Sequence, residues 1–375
     1  MALANPTLIP LPPERTLTAQ HYRGGQPLRI TWDECGVLTT VELGDRSDAA
    51  DLWLAPGLLD LQVNGYAGVD FQRDESASEP ALLEAVRALR RDGCRRIFLT
   101  LITAEWKSLL QRIQRYRTII QQNAELWQSI VGWHIEGPFL SDQPGYCGAH
   151  NPAWMRNPTP ADMQELRLIA ESDPVLLTLA PEREGSEAAI AEAVRCGFVV
   201  SLGHTQANRE QVKAAEIAGA TAFTHLGNGC PQKLDRHENI LWTVLNEPTL
   251  TAGIIPDGIH VSPALFAILH EVLTPARVYW TTDAMSAAGA PPGRYTIGEI
   301  ELAVGADQIV INPATNTFAG SALTPIEGIR RGAQMLNRPW QDVWDLFSVN
   351  PARLMGLSAD LSSGSAAGFC LLRSK

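Results

Sequence analysis

Four side chains separated by long stretches of chain are of types that act together on a hydrolytic water: Glu136, His204, His225 and Asp283. Each ends a short apolar run, as in Trp133-His134-Ile135-Glu136, Leu202-Gly203-His204, Phe223-Thr224-His225 and Thr281-Thr282-Asp283. Two imidazoles and one carboxylate suit Zn²⁺ and leave a coordination position open. A cation held there lowers the pKa of a bound water to about 7 and polarises a carbonyl. Asp283, on an adjacent strand end, is placed to take the water's proton and return it to a leaving amine. A histidine at a strand end is also commonly a hydrogen-bonded structural residue, so on spacing alone both readings stand.

Only a fold that gathers strand ends on one rim can unite these positions. Short apolar runs predict strands over 58–63, 97–101, 130–135, 175–179, 198–202, 221–224, 250–255 and 277–282. Most are near-continuously apolar, as parallel strands buried on both faces should be. Helical stretches with boundary signals alternate with them. Ser78 and Ser186 are expected caps, Ser262-Pro263 starts a helix, and Thr324-Pro325 with Glu327 reads as a capping box. Eight such units predict a TIM-type (β/α)₈ barrel, whose active site lies at the C-terminal strand ends. An open doubly wound sheet is disfavoured, because no Gly-x-Gly-x-x-Gly follows the first strand. Residues 1–55 and 357–375 carry β-like runs without a long helical period. They are expected to pair into a small β domain beside the barrel, which spans 56–356.

The composition supports this class. The chain has 375 residues, 45% of them hydrophobic and 19% charged, with a net charge of −11. That suits a globular protein with a sizeable core. It disfavours nucleic-acid or anionic-membrane partners, which require clustered Lys and Arg. No run approaches the roughly 18 apolar residues that span a bilayer. The first 17 residues hold four prolines and no cationic stretch before an apolar one, so no secretory signal is expected there. The six cysteines form no Cys-x-x-Cys pair, which fits reduced thiols in the cytoplasm.

Other rim residues read as supporting groups. Gln62 and Asn64 end the first strand, where a second metal would require imidazoles. Amides are poor Zn²⁺ ligands, so one metal is expected and the two amides orient neighbours by hydrogen bonds. His134 shares a face with Glu136, which leaves a supporting role and a purely structural one open. His270, in a helix, reads as a surface or packing residue. Cys147 and Cys230 lack the base and orienter that a nucleophile needs, and read as lining residues.

The chain resembles the N-acetylglucosamine-6-phosphate deacetylases of the amidohydrolase superfamily. The likeness is carried in order by Ala55-Pro56-Gly57-Leu58-Leu59-Asp60, His134-Ile135-Glu136-Gly137-Pro138, Gly148-Ala149-His150, Leu179-Ala180-Pro181-Glu182, Gly203-His204-Thr205, Thr224-His225-Leu226, Asp257-Gly258-Ile259-His260, Thr282-Asp283-Ala284, Ala319-Gly320-Ser321 and Asn350-Pro351-Ala352. It implies a metal-dependent hydrolase that releases acetate from an N-acetyl amino sugar 6-phosphate. Glu136, His204 and His225 match its metal ligands, for Zn²⁺ or alternatively Fe²⁺, Mn²⁺ or Co²⁺. Asp283 matches the catalytic acid–base, and His150 the residue that contacts the acetamido carbonyl. Ala149, Asn228, Gly229, His260, Phe318, Ala319 and Gly320 match substrate-binding positions. Arg236 falls where a phosphate-contacting arginine is expected, with pairing to Asp235 or Glu238 as its alternative. Relatives build the phosphate pocket across a dimer, which implies a homodimer here. Two stretches depart from the pattern. Leu226-Gly227-Asn228-Gly229-Cys230 stands where the family has Leu-aromatic-Asn-Ala-Met, which reshapes the pocket, and Phe369-Cys370 replaces an Ala-Asp or Ala-Asn pair. A different N-acyl sugar, a cyclic amide, or binding without catalysis are the competing functions.

Overall fold

The computed structural model describes residues 5–46, 51–315 and 317–374. Its centre is a parallel barrel of eight strands: Leu58–Val63, Cys94–Ile102, Ile130–Glu136, Val175–Leu179, Val199–Leu202, Ala222–Phe223, Thr251–Ile254 and Val278–Trp280. Each pairs with the next in chain order. The seam between the first and last strands closes through a bridge from Val63 to Ala284 and a bond from Asn64 N–H to the Ala284 carbonyl at 2.7 Å. The fold is the (β/α)₈ barrel, with helices such as Glu79–Arg91 and Pro325–Leu336 packed on its outer face. Gly332 shows how closely they approach, since a Cβ there would lie 2.2 Å from the Trp280 ring.

The sixth and eighth strands are shorter than the sequence predicts. The chain leaves the ladder as it turns left-handed at His225 (φ 33°) and Asp283 (φ 52°), so their apolar runs outlast the pairing. Three capping expectations are corrected. Ser78 precedes the helix Glu79–Arg91 but makes no side-chain cap. Gly185, at φ 85°, caps the helix Ser186–Arg195, and Ser186 is its first residue, with its hydroxyl donating to the Ala180 carbonyl at 3.1 Å. At the helix Pro325–Leu336, Thr324 makes no side-chain cap and Glu327 accepts from Arg331 at 3.0 Å instead. An available guanidinium on the same helix face outcompetes the backbone N–H. Ser262 caps as expected, accepting from Leu265 N–H at 3.3 Å.

The two chain ends share one six-stranded sheet. Its order is Pro6–Ile9, Phe369–Ser374, Leu52–Pro56, Thr16–His21, Pro27–Trp32 and Leu38–Leu43. Trp32, Leu54, Phe369 and Leu371 form its core. A further four-stranded antiparallel sheet, absent from the sequence reading, follows the eighth barrel strand: Gly293–Ile297, Ile300–Val304, Val310–Asn312 and Thr317–Phe318. Its alternating Tyr295, Ile297, Ile300, Leu302 and Val304 were the available signal.

Asp60 stitches the barrel seam. Its fully buried carboxylate accepts from Thr281 Oγ1 (2.5 Å), Thr282 Oγ1 (2.6 Å) and the backbone N–H groups of Thr282 and Gln62. Burial nonetheless outweighs these donors and pushes its carboxyl from 3.8 up to about 6. The unfolded chain therefore loses this proton first. The stability Asp60 contributes is complete below about pH 4 and falls as pH rises through about 6. Two units correspond to a swing of roughly 3 kcal/mol. Urea unfolding of wild type and Asp60→Asn across this window is expected to show a steeper fall in the wild type, since other raised carboxyls such as Asp283 titrate in both; parallel pH profiles would contradict it.

Candidate active site

The fold brings the four strand-end residues together. His204, His225 and Asp283 all have positive φ (48°, 33° and 52°), and Glu136 precedes Gly137 at φ 89°. Left-handed backbone is uncommon for residues with a Cβ and is tolerated best by Asn, Asp and His. Each turn breaks the strand at the rim, where these buried side chains converge. Glu182, at the end of the fourth strand, holds the turn after His204 by accepting from the Thr205 hydroxyl and from Gln206 N–H at 2.9 Å.

Glu136 Oε1 lies 2.9 Å from His225 Nε2 and 3.4 Å from His204 Nε2, and the two ring nitrogens are 3.1 Å apart. His204 donates from Nδ1 to the Tyr146 carbonyl at 2.7 Å, which leaves its Nε2 as a lone pair. A carboxylate oxygen and two imidazole nitrogens thus face one another with few protons to share. A tetrahedral ion with bonds of about 2.0 Å has ligand edges of about 3.3 Å, and the observed triangle is close to that. The set fits one divalent cation. Burial opposes ionisation of Glu136, but His204 and His225 outweigh it and hold its carboxyl well below the ordinary range.

The supporting amides do what their positions suggested. Gln62 Nε2 donates to Glu136 Oε1 at 3.0 Å, and Asn64 Nδ2 donates to Asp283 Oδ1 at 2.8 Å. Burial and then the Glu136 charge push the Asp283 carboxyl up to about 7, against the pull of His225, His260 and Asn64. His150 stands on the other side of Glu136, with Nε2 3.6 Å from Oε2. Its Nδ1 accepts from Thr103 N–H at 3.3 Å, so Nε2 carries the proton and points a donor into the site. Burial and then His204 push the ring down to about 3, which keeps it neutral.

The remaining predicted residues divide. Gly229 lies against both imidazoles, since a Cβ there would be 3.1 Å from His204 Nδ1 and 3.2 Å from His225 Cε1. Asn228 donates from Nδ2 to the His225 carbonyl at 3.3 Å. Gly320 packs beneath Asp283, its hypothetical Cβ 3.3 Å from that carbonyl, and Ala319 is buried beside it. Ala149 packs against the same small core, and the exposed Phe318 ring lies 5.2 Å from His260. Arg236 is not brought in. It is exposed, and among the described residues no hydrogen bond or ion pair links its guanidinium to the rim, to Asp235 or to Glu238. Asp235 accepts from His237 and Glu238 N–H instead. His134 is fully buried, bonded to Thr178 Oγ1 at 2.7 Å, and pushed by burial down to about 4. His270 packs within its helix, accepting from Trp280 Nε1 at 3.0 Å.

Comparison with known proteins settles the family. No protein-family model matches the chain. It is 31% identical over 359 residues to the N-acetylglucosamine-6-phosphate deacetylase of Vibrio furnissii, covering 93% of this chain and 86% of that protein. The chain belongs to the N-acetylglucosamine-6-phosphate deacetylase family. Another relative, the N-acetylgalactosamine-6-phosphate deacetylase of Escherichia coli O157:H7, is 28% identical over 93% of this chain and 90% of its own length. Among solved structures, a mutant N-acetyl-D-glucosamine-6-phosphate deacetylase from Mycobacterium smegmatis, in complex with N-acetyl-D-glucosamine-6-phosphate, superposes with a TM-score of 0.83. It is 30% identical, and the match covers 99% of this chain and 95% of that one.

Several groups in this deacetylase-family site escaped the sequence reading. Thr103, just past the second strand, sets the His150 tautomer, and a search for polar residues at every strand end would have found it. The Tyr146 carbonyl is backbone and has no sequence signal. Gly148 gives one, because a Cβ there would stand 2.8 Å from His204 Cε1.

Proposed function

We propose that this chain hydrolyses the acetamide of N-acetylglucosamine 6-phosphate to glucosamine 6-phosphate and acetate. The observation that carries the reading is the meeting of opposites at one point. A cation-binding triangle of Glu136, His204 and His225 lies between a neutral donor, His150, and a base, Asp283. Zn²⁺ suits the two imidazoles and the carboxylate, and when bound it supplies Lewis acidity that polarises the acetyl carbonyl and acidifies the attacking water. Asp283, steadied by Asn64, takes the proton from the water and then delivers it to the departing nitrogen. His150 donates from Nε2 to the oxygen that gains charge as the carbonyl becomes tetrahedral. Gln62 holds Glu136 in place.

Lys233 and Arg236 are exposed cations on the loop after His225, interleaved with the exposed Asp235 and Glu238, in a chain of net charge −11. In our reading the protein is a cytoplasmic homodimer, and Arg236 meets the sugar phosphate across the interface. The six free cysteines fit a reducing compartment. Acetate and free amine should appear in equal amounts from the 6-phosphate, with a much lower KM than for N-acetylglucosamine. Arg236→Ala should raise KM for the phosphorylated sugar roughly tenfold or more and leave the unphosphorylated one little changed. Equal turnover of both sugars by both proteins would remove the phosphate from the proposal.

A further inference from the structure

After the first barrel strand the chain makes a small hairpin, Gly65–Tyr66 paired with Val69–Asp70, and then reads Phe71-Gln72. Gln72 is polar yet only 5% exposed, and both ends of its amide are bonded. Nε2 donates to the Thr100 carbonyl at 2.9 Å and to the Asn64 carbonyl at 3.3 Å. Oε1 accepts from Ile102 N–H at 3.0 Å. Two donors and an acceptor on one flat group match two carbonyls and one N–H; the reverse orientation would set oxygen against both carbonyls. Asp70 fixes the residue from below. Its Oδ1 accepts from Gln72 N–H at 2.9 Å, while Oδ2 accepts from Thr296 Oγ1 (2.8 Å) and Gly298 N–H (2.9 Å) in the sheet that follows the last strand.

The backbone ladder between the first two barrel strands ends at the pair Val63 and Leu99. Beyond it, the Gln72 amide takes the place of the missing rungs and ties Asn64 to Thr100 and Ile102. The two strand ends so joined carry different halves of the chemistry. Asn64 steadies Asp283 through Nδ2, and its own backbone is held by Ala284 at 2.7 Å and by Phe71 N–H at 3.0 Å. One residue past Ile102, Thr103 donates its N–H to His150 Nδ1 at 3.3 Å. Ile102 also packs on the small core that includes Ala149, the neighbour of His150. We infer that Gln72 is a positioning residue: by bridging the first and second strand ends it sets the spacing between the base Asp283 and the oxyanion donor His150. This rests on the deacetylase reading above and adds to it the group that keeps its two halves in register. Misplacement by a fraction of an ångström is costly in such a site.

Gln72→Met keeps the length of the side chain and removes all three of its bonds. For N-acetylglucosamine 6-phosphate, kcat should fall roughly tenfold or more, with KM within about threefold and metal content unchanged. A second substrate separates positioning from a loss of folded protein. The N-trifluoroacetyl analogue forms its tetrahedral oxyanion with less help, so its kcat should fall by less than about threefold, whereas a shrunken active fraction would lower both equally. Hydrogen exchange at the Ile102 amide, measured without substrate, should quicken roughly tenfold or more relative to the rest of its strand. Gln72→Glu serves if the methionine variant does not fold. It keeps the acceptor for Ile102 N–H but brings at most one proton to two carbonyls, so it should show the same substrate-dependent loss with slow Ile102 exchange. Equal losses on both substrates, or a kcat within twofold of wild type in the folded variant, would overturn the inference. If the wild type turned over neither sugar, the deacetylase reading would fall, and unchanged Ile102 exchange in Gln72→Met would separately reject the bridge.

Discussion

Asp283→Asn is expected to lower kcat by roughly 10³- to 10⁴-fold while the protein stays folded and the cation stays bound. The substitution is isosteric. The new side-chain oxygen can still accept from Asn64 Nδ2, now 2.8 Å from Asp283 Oδ1, so the geometry is kept and only the base is lost. The size of the loss follows from the residue's two uses, since one carboxylate removes the proton from water and gives it to the amine. The pH profile should change with it. Burial and the Glu136 charge push Asp283 up to about 7. Because the carboxylate is the active form, the wild-type rate should rise with pH through a midpoint no higher than about 7, lower once a cation offsets Glu136. The residual rate of the variant should lack that limb. A kcat within threefold of wild type would remove Asp283 from the chemistry.

Removing the cation should have an effect of similar size. Dialysis against a strong chelator is expected to cut activity to below about one per cent, and stoichiometric Zn²⁺ to restore it. The metal-free protein should also be less stable. Without an ion, the Glu136 oxygen and two ring nitrogens crowd within 2.9–3.4 Å with few protons between them. Ligand that binds only the folded chain adds about 2.7 kcal/mol at a hundredfold excess over Kd, which a melting curve resolves easily. Glu136→Ala should bind the ion far more weakly and show no such shift. Full activity after chelation would exclude a metal role.

What could be read beforehand depended on whether a residue's role was carried by its own type. Glu136, His204, His225 and Asp283 were legible as a set: each histidine alone reads equally as a structural residue, and the joint pattern of two imidazoles and two carboxylates on one barrel rim is what points to a metal site. Gln62 and Asn64 were legible for a related reason, as polar groups at a strand end where the metal needs no further ligand. The terminal β sheet was legible from the missing helical period. Thr103 and the Tyr146 carbonyl were not, since a threonine after a strand is commonplace and a backbone oxygen is invisible in any sequence. The Ser186 cap failed because Gly185 supplies the left-handed turn one residue earlier. The Glu327 capping box failed because Arg330 and Arg331 lie on the same helix face. The sheet over 293–318 was given no element, although its hairpin alternates apolar and polar residues. Arg236, read by resemblance as a phosphate contact, is exposed in the fold, and among the described residues its guanidinium bonds to no group of the rim.

The most direct measurement is anomalous diffraction from crystals of protein purified without added metal or chelator. One peak per chain, bonded to Glu136 Oε1, His204 Nε2 and His225 Nε2 at about 2 Å, is the predicted result. A second peak held by Gln62 and Asn64, or no density among the three ligands in an active preparation, would contradict it.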